Sequence, residues 1–417
     1  MSWLASIVLA AGLAASLPPQ AGPADSVPGS ELSVYLLTFD PGDLVWERFG
    51  HNAIRIVDHR AGTDVAYDYG RFDFGRTWRE QVGFVARFAR KDLRYSMGEA
   101  DGARTLAAYQ RLGRSIWSQE LDLDPDAKLA MYDFLRWNIR DENRYYDYDY
   151  YLDNCSTRLR DVIDRAVGGQ LKAWADSLRT DQTYRYHTRR TTENSVTTYT
   201  ALMFGLGQPV DQPLTAWGEM FLPIMMRPYL NQLVIHDAAG GSRPLVREEL
   251  HLVTTSPYSI AAVPSSWREG YLLAGLVGLT ALVGLGLIGR RRSWARNGFG
   301  ALATLWSYLA GVGGILLAGL WAFTAHAVSY RNENVLQLSL LSMALAVMLP
   351  AAVWRNEARH RAALRLAAVV VLLSIAGVVL KILPAFHQDN LDLIGLTLPL
   401  HLGLLAGLAA VGPRPAT

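Results

Sequence analysis

The chain contains a single cysteine, Cys155, and it stands where a helix begins. Asp153-Asn154-Cys155-Ser156-Thr157-Arg158 follows a tyrosine-rich run and opens a helix that should reach Val167, before Gly168-Gly169. A helix start presents free N–H groups and a positive partial charge, both of which favour thiolate. Most lone cysteines are small buried apolar residues. A free thiol kept at a helix start in an oxidising compartment raises the nucleophile reading. Such a nucleophile needs a base to take and return its proton. His51 is the leading choice, in Arg48-Phe49-Gly50-His51-Asn52-Ala53-Ile54-Arg55-Ile56, at the mouth of a strand. Gly50 lets the backbone turn sharply before it. The rival, His187 in Tyr186-His187-Thr188-Arg189-Arg190, reads as part of a solvated stretch, and His59 as an exposed turn residue. His51 and His59 lack helical metal spacing, so neither a metal nor a cofactor is expected.

A third group usually fixes the imidazole tautomer. Ala53 to Val57 and Val65 to Tyr69 read as two strands of a hairpin turning around Arg60 to Gly62. That hairpin carries Asp68 to Gly70 back toward His51. Asp68 is the chosen orienter and Asp73 the next; a turn-capping role for Asp68 is equally compatible with the pattern.

The surrounding elements read as α+β. Leu32 to Phe39 is a strand ended by Asp40-Pro41-Gly42, the pattern turns helical from about Ala103, and Pro125 opens a helix to about Arg140. A small antiparallel sheet packed against helices is expected over residues 30–265.

Composition separates two unlike halves. Of 417 residues 50% are hydrophobic and 19% charged, with a formal net charge of +2. That balance gives no basic field for nucleic acid, and one cysteine excludes an internal disulfide. After residue 268, Tyr271 to Gly289, Phe299 to Ala325, Val335 to Trp354, Leu366 to Phe386 and Leu393 to Val411 are nearly free of charge. Each approaches or exceeds the roughly 20 residues that cross a bilayer, so five transmembrane helices are expected over 269–411. Arginine crowds two joints, at Arg290-Arg291-Arg292 with Arg296, and at Arg355, Arg359, Arg361 and Arg365. The positive-inside rule makes these cytoplasmic and puts residues 30–265 on the other side. Lys381 should snorkel to the surface. Trp3 to Ala15 is a short apolar run that suits a signal peptide or an N-terminal anchor within 1–24.

His51 on a strand, 104 positions before Cys155 on a helix, resembles the permuted papain-like arrangement of the NlpC/P60 type, in which the histidine strand precedes the cysteine helix. The lecithin retinol acyltransferase group shares that order and an Asn-Cys pair like Asn154-Cys155. More specifically, PGDLVWERFGHNAIRI (Pro41 to Ile56), YDYGRFDF (Tyr67 to Phe74), ENRYYDYDYYLDNCSTRLRD (Glu142 to Asp161) and GQPVDQPLTAWGEMFLP (Gly207 to Pro223) resemble the exported domain of the bacterial lipoprotein N-acyltransferases of the Bacteroides type. The resemblance spans most of residues 31–235, and members commonly carry a membrane bundle behind that domain.

The resemblance implies a permuted papain-like domain before an all-α bundle in the bacterial inner membrane, with the catalytic domain in the periplasm. It implies transfer of an acyl chain from a phospholipid to the α-amine of the N-terminal cysteine of a diacylglyceryl lipoprotein. Cys155 then acts as nucleophile and His51 as base, while Asp68 remains a choice made from the hairpin. The Cys155 N–H and the Asn154 side chain are expected oxyanion donors, and Arg158 and Arg160 either meet a phosphate or form ordinary surface ion pairs. His326, Arg331, Asn332 and Asn334 in one outward joint, and His387, Gln388 and Asn390 in the other, either line the lipid entry or are ordinary interfacial residues. Competing readings are a Cys-His peptidoglycan peptidase or amidase, a thiol phospholipase, and a non-enzymatic envelope or transport component. Five spans exceed the single anchor a wall hydrolase needs.

Overall fold

The computed structural model describes residues 27–413 except 91, 93, 238, 255–259 and 355–356, and leaves side chains 85, 88 and 89 undescribed. The N-terminal segment 1–24 and Arg355 thus lie outside the described residues. The first half contains strands β1 (Leu32–Phe39), β2 (His51–Asp58) and β3 (Thr63–Arg71), then helix α1 (Trp78–Ala89), β4 (Arg94–Asp101), α2 (Gly102–Arg111), β5 (Ile116–Leu121), α3 (Pro125–Asn138) and β6 (Tyr145–Asp147). Six helices follow: α4 (Cys155–Ala166), α5 (Gln170–Ser177), α6 (Tyr184–Thr192), α7 (Val196–Gly205), α8 (Ala216–Glu219) and α9 (Pro223–Gln232). Strands β7 (Val234–His236), β8 (Ser242–Pro244) and β9 (Val246–Val253) close the domain.

The sheet is larger than the sequence reading anticipated: seven antiparallel strands in the order β6-β4-β3-β2-β1-β5-β9. The missed strands lack clean alternation. β9 carries Arg247, Glu248 and Glu249, charges that suit a sheet edge, and β4 (RYSMGEAD) ends in Glu99 and Asp101. β1 is buried on both faces. Leu32, Val34 and Leu36 join a core with Ile54, Ile56, Leu135, Leu159 and Ile163, so α3 and α4 cover that side. Leu37, Phe39 and Ala53 pack against Leu106 and Tyr109 of α2 on the other. The central strand pair is therefore fixed by burial on two faces, which leaves its register little freedom.

The second half is α10 (Arg268–Gly289), α11 (Ser293–Phe323), α12 (Leu340–Trp354), α13 (Glu357–Val379) and α14 (Leu391–Val411). Four helices are long and apolar enough to cross a membrane. The third expected span differs. α12 has only 15 residues, about 22 Å at the helical rise of roughly 1.5 Å per residue. It meets the short turns of Ala327–Leu336 at a 41° bend, and the span count is four, or five with this bent pair taken as one span. The cause is local: Asn332, Glu333, Asn334 and Gln337 are buried here, and irregular polar backbone at such depth is tolerated only against protein. Small residues draw the helices together. A Cβ on Gly311 or Gly314 of α11 would meet the backbone of Met343 or of Leu338 and Ser339, and one on Gly286 of α10 the backbone of Gly407.

Candidate functional site

β2 and β3 pair with Ile54 opposite Tyr67 and Asp58 opposite Thr63. Continuing that register sets Ala53 opposite Asp68, so His51 and Asp68 share a sheet face on a diagonal. Their side chains meet: His51 Nε2 lies 3.2 Å from Asp68 Oδ2. The other carboxylate oxygen of Asp68 accepts from Arg71 Nε at 2.8 Å. Arg71 reaches it by lying flat over Gly98 of β4, where a Cβ would stand 1.9 Å from its Nε. The β3–β4 register shifts between Asp68 and Arg71, a bulge that re-aims side chains. Gly70 sits in that bulge at φ +93°, and its face lies against Cys155, whose Cβ is 3.3 Å from where a Gly70 Cβ would be. Only glycine suits both the left-handed backbone and the approach of the thiol.

Cys155 is the first residue of α4, where its N–H has no carbonyl within the helix to bond. Asn154 caps the helix, accepting from the Ser156 and Thr157 N–H groups at 2.8 and 2.9 Å. The strand and the helix are tied by their next residues. Asn52 Nδ2 donates to Ser156 Oγ at 3.2 Å, and that hydroxyl donates to the Met220 carbonyl at 2.7 Å. Asn52 and Ser156 are both fully buried. Ser156→Ala is therefore expected to destabilise the domain by about 1–3 kcal/mol, since it strands a buried amide and a carbonyl. A thermal-unfolding midpoint equal to wild type would show that this tie carries no weight.

His51, Asp68, Gly70 and Cys155 line a cavity of about 240 Å³ with Trp46, Glu47, Phe72, Tyr95, Tyr109, Arg114 and Tyr148. Cys155 lines the same cavity as the imidazole and acts on its protonation. With Nε2 on Asp68, Nδ1 is the ring nitrogen left for sulfur. Burial disfavours the imidazolium, but Tyr109, Cys155 and the Asp68 carboxylate outweigh it and hold His51 well above its ordinary value. Burial likewise raises Asp68, yet His51 and Arg71 pull it below the ordinary carboxylate value. Tyr109 stacks on Phe39 at 3.6 Å and leaves the His51 ring 6.2 Å away, nearly parallel.

Two further groups were not assigned from sequence. The Tyr146 hydroxyl is buried with no hydrogen-bond partner and lies 4.0 Å from the Cβ position of Gly70, which itself faces Cys155. Burial, with Cys155 and Asp153 nearby, pushes this phenol far up, so it keeps its proton and can donate. Arg114 is buried, donates Nε–H to the Asp40 carbonyl at 2.6 Å and stacks on Tyr109, but its Nη2 has no partner. Tyr146 lay inside the tyrosine run; Arg114 had no motif around it.

Several expected roles are corrected. The Asn154 amide spends both N–H bonds on the Tyr150 and Phe221 carbonyls, so it is a cap and not an oxyanion donor. Arg158 is paired with Asp153 and stacked on Tyr146. Arg160 binds Asp161 and the Trp217 carbonyl. Neither is left to meet a phosphate. His187 is fully buried in α6 and bonded to Glu219 at 3.0 Å, the reverse of a solvated residue.

The outward joints clamp rather than line. Asn332 and Asn334 donate to the Phe204 and Met203 carbonyls at the end of α7. Gln388 bonds the Leu206 carbonyl, and Asn390 bonds Asn334. Lys381 pairs with the buried Glu333 instead of snorkelling. His387 lies at the surface against Gln212. His326 is half-buried. Arg331 is exposed at φ 49° on the wall of a separate cavity with Trp321 and Phe386. Charges complete the seat, with Arg189 and Arg268 both bonded to Asp389 and Asp392.

Among the described residues no group of His, Cys, Asp and Glu could hold a metal ion. Residues 20–193 match the family model described as the Lnb N-terminal periplasmic domain. That segment contains His51, Asp68 and Cys155. No curated protein and no solved structure gives a significant match to the chain. A periplasmic-domain match followed by four to five membrane-spanning helices makes the chain a membrane protein with a periplasmic domain.

Proposed function

We propose that this protein is a lipoprotein N-acyltransferase that carries an acyl chain on Cys155 between a phospholipid and the α-amine of a diacylglyceryl lipoprotein. The observation that carries this reading is the His51 ring bonded to Asp68 and lining, together with Cys155, one cavity with aromatic walls. The Lnb-type match and the membrane half support a lipid substrate over a soluble one.

Chemistry follows from the residues. His51 takes the thiol proton, and the sulfur attacks the ester carbonyl of the donor. The carbonyl π pair moves to oxygen, for which the Cys155 N–H at the start of α4 and the unpartnered Tyr146 hydroxyl are the proposed donors. Collapse expels the lysophospholipid alkoxide, which takes the proton from His51 and leaves a thioester. The acceptor amine then attacks the thioester, His51 removes the amine proton, and that proton returns to the departing thiolate. Splitting the transfer lets two bulky lipids use one site in turn. Arg114 fits the donor's phosphodiester, since its side chain lines the same cavity as Cys155 and its Nη2 has no hydrogen-bond partner.

The test is intact-mass spectrometry of the purified membrane protein after incubation with phospholipid, followed by addition of a diacylglyceryl lipopeptide. An acyl adduct on Cys155 that passes to the lipopeptide amine supports the reading. Cleavage of peptidoglycan stem peptides without any adduct would overturn it in favour of a hydrolase. Tyr146→Phe should lower kcat about a hundredfold to a thousandfold with KM little changed, the loss typical of one oxyanion donor. A kcat equal to wild type would remove Tyr146 from the mechanism.

A further inference from the structure

Next to the catalytic cavity lies a second one of about 310 Å³ that shares Trp46, Phe72, Tyr95 and Tyr148 with it. No charged residue lines it, and its far walls are Phe74, Phe84 and Leu202. The rings interlock: Phe74 meets Phe84 edge-on at 5.0 Å, and Trp46 meets Phe72 edge-on at 5.7 Å. Its rim is unusually apolar for an exported surface. Val45 and Trp46, which line it, are about half exposed, and exposed apolar groups at a cavity mark a lipid or partner site.

The cavity also leads toward the membrane half. Leu202 belongs to α7, and Phe204 two residues on lies 3.4 Å from the Cβ position of Gly313 in α11. Phe49, Tyr150 and Leu202 form one apolar cluster with Tyr271 of α10 and Val328 of the outward joint. The aromatic wall is thus continuous with the end of the bundle at which α10 starts.

We propose that this aromatic cavity holds the acyl chain while its carbonyl is bonded to Cys155, and that Phe74 and Leu202 set the length of chain transferred. The inference rests on the acyl-transfer reading. Polar peptide is disfavoured as the occupant because the side chains of the walls offer it few hydrogen-bond partners, the tyrosine hydroxyls and the Trp46 indole N–H, whereas an alkyl chain needs none.

The experiment uses the full-length protein with phosphatidylethanolamines bearing octanoyl, dodecanoyl or hexadecanoyl chains, scored as acyl-Cys155 by mass spectrometry. Iodoacetamide alkylation of Cys155 serves in parallel as a chain-independent measure of an intact site. Leu202→Trp should leave octanoyl transfer and alkylation unchanged while cutting hexadecanoyl transfer about tenfold or more, as a filled apolar pocket does. Phe74→Leu should move preference the opposite way. Length profiles identical to wild type in both variants, with alkylation intact, would overturn the cavity assignment and leave the acyl-transfer reading standing. Absence of acyl-Cys155 from every donor in the wild type overturns both.

Discussion

Cys155→Ser is expected to lower acyl transfer by about four orders of magnitude or more, with no adduct detectable by intact mass. Serine preserves the helix start and the cap from Asn154, so the loss reports chemistry rather than folding. A hydroxyl is far less acidic than a thiol, and a base suited to forming thiolate does not form alkoxide at neutral pH. His51→Ala should cost nearly as much, and the double variant little more than either alone, because groups that act as one unit are not additive. Unfolding midpoints close to wild type for Cys155→Ser would confirm that the scaffold is intact. A serine protein that still N-acylates lipopeptide at wild-type rate would remove the thioester from the scheme.

The site was legible where chemistry and local structure coincide. Cys155 is visible because a lone thiol sits beside a capping residue, and a cap is a local event written in three or four residues. His51 and Asp68 were legible through a hairpin whose turn fixes the register, and the structure brings them within 3.2 Å. The papain-like detail of the fold remains an expectation from resemblance. Groups assigned by packing were hidden. Arg114 reaches the cavity through a bond to the Asp40 carbonyl, 74 positions away, and no spacing announces that. Asn154 was misassigned for a related reason: its type suits both an oxyanion donor and a cap, and only the Tyr150 and Phe221 carbonyls decide between them.

The membrane half shows the same limit from the other side. Hydropathy finds apolar length but not bends, so Val335 to Trp354 was read as one straight span, although its first two residues belong to the turn before α12. That turn is buried because its asparagines bond the end of α7. The polar residues of the joints thus fix the exported domain on the bundle. A catalytic domain that acts on lipids gains from a fixed seat, since an error of one ångström at the reacting carbonyl is costly.

Asp68→Asn is expected to lower kcat about a hundredfold to ten-thousandfold while leaving the fold in place. Asparagine can still bond His51, but it cannot carry the charge that favours the imidazolium, and its amide can present the wrong group to Nε2. The consequence for pH follows from the two shifts. His51 is held well above its ordinary 6.5, so the imidazolium formed when it takes the thiol proton is favoured. Its contribution to stability is present in full below 6.5 and is lost as pH rises through the higher folded value. Asp68 is held below its ordinary 3.8, so its contribution is present above 3.8 and is lost as pH falls through the lower folded value. The gap in unfolding midpoint between wild type and Asp68→Asn should therefore be widest in weakly acidic buffer and narrow on the alkaline side to what the Arg71 pair contributes. Because the chain has one cysteine, the rate of alkylation by iodoacetamide reads Cys155 without background. In the variant the pH at which that rate loses its imidazolium assistance should move down, as His51 gives up its proton earlier. An alkylation profile and a midpoint gap that do not change with pH would show that Asp68 merely caps the end of its strand.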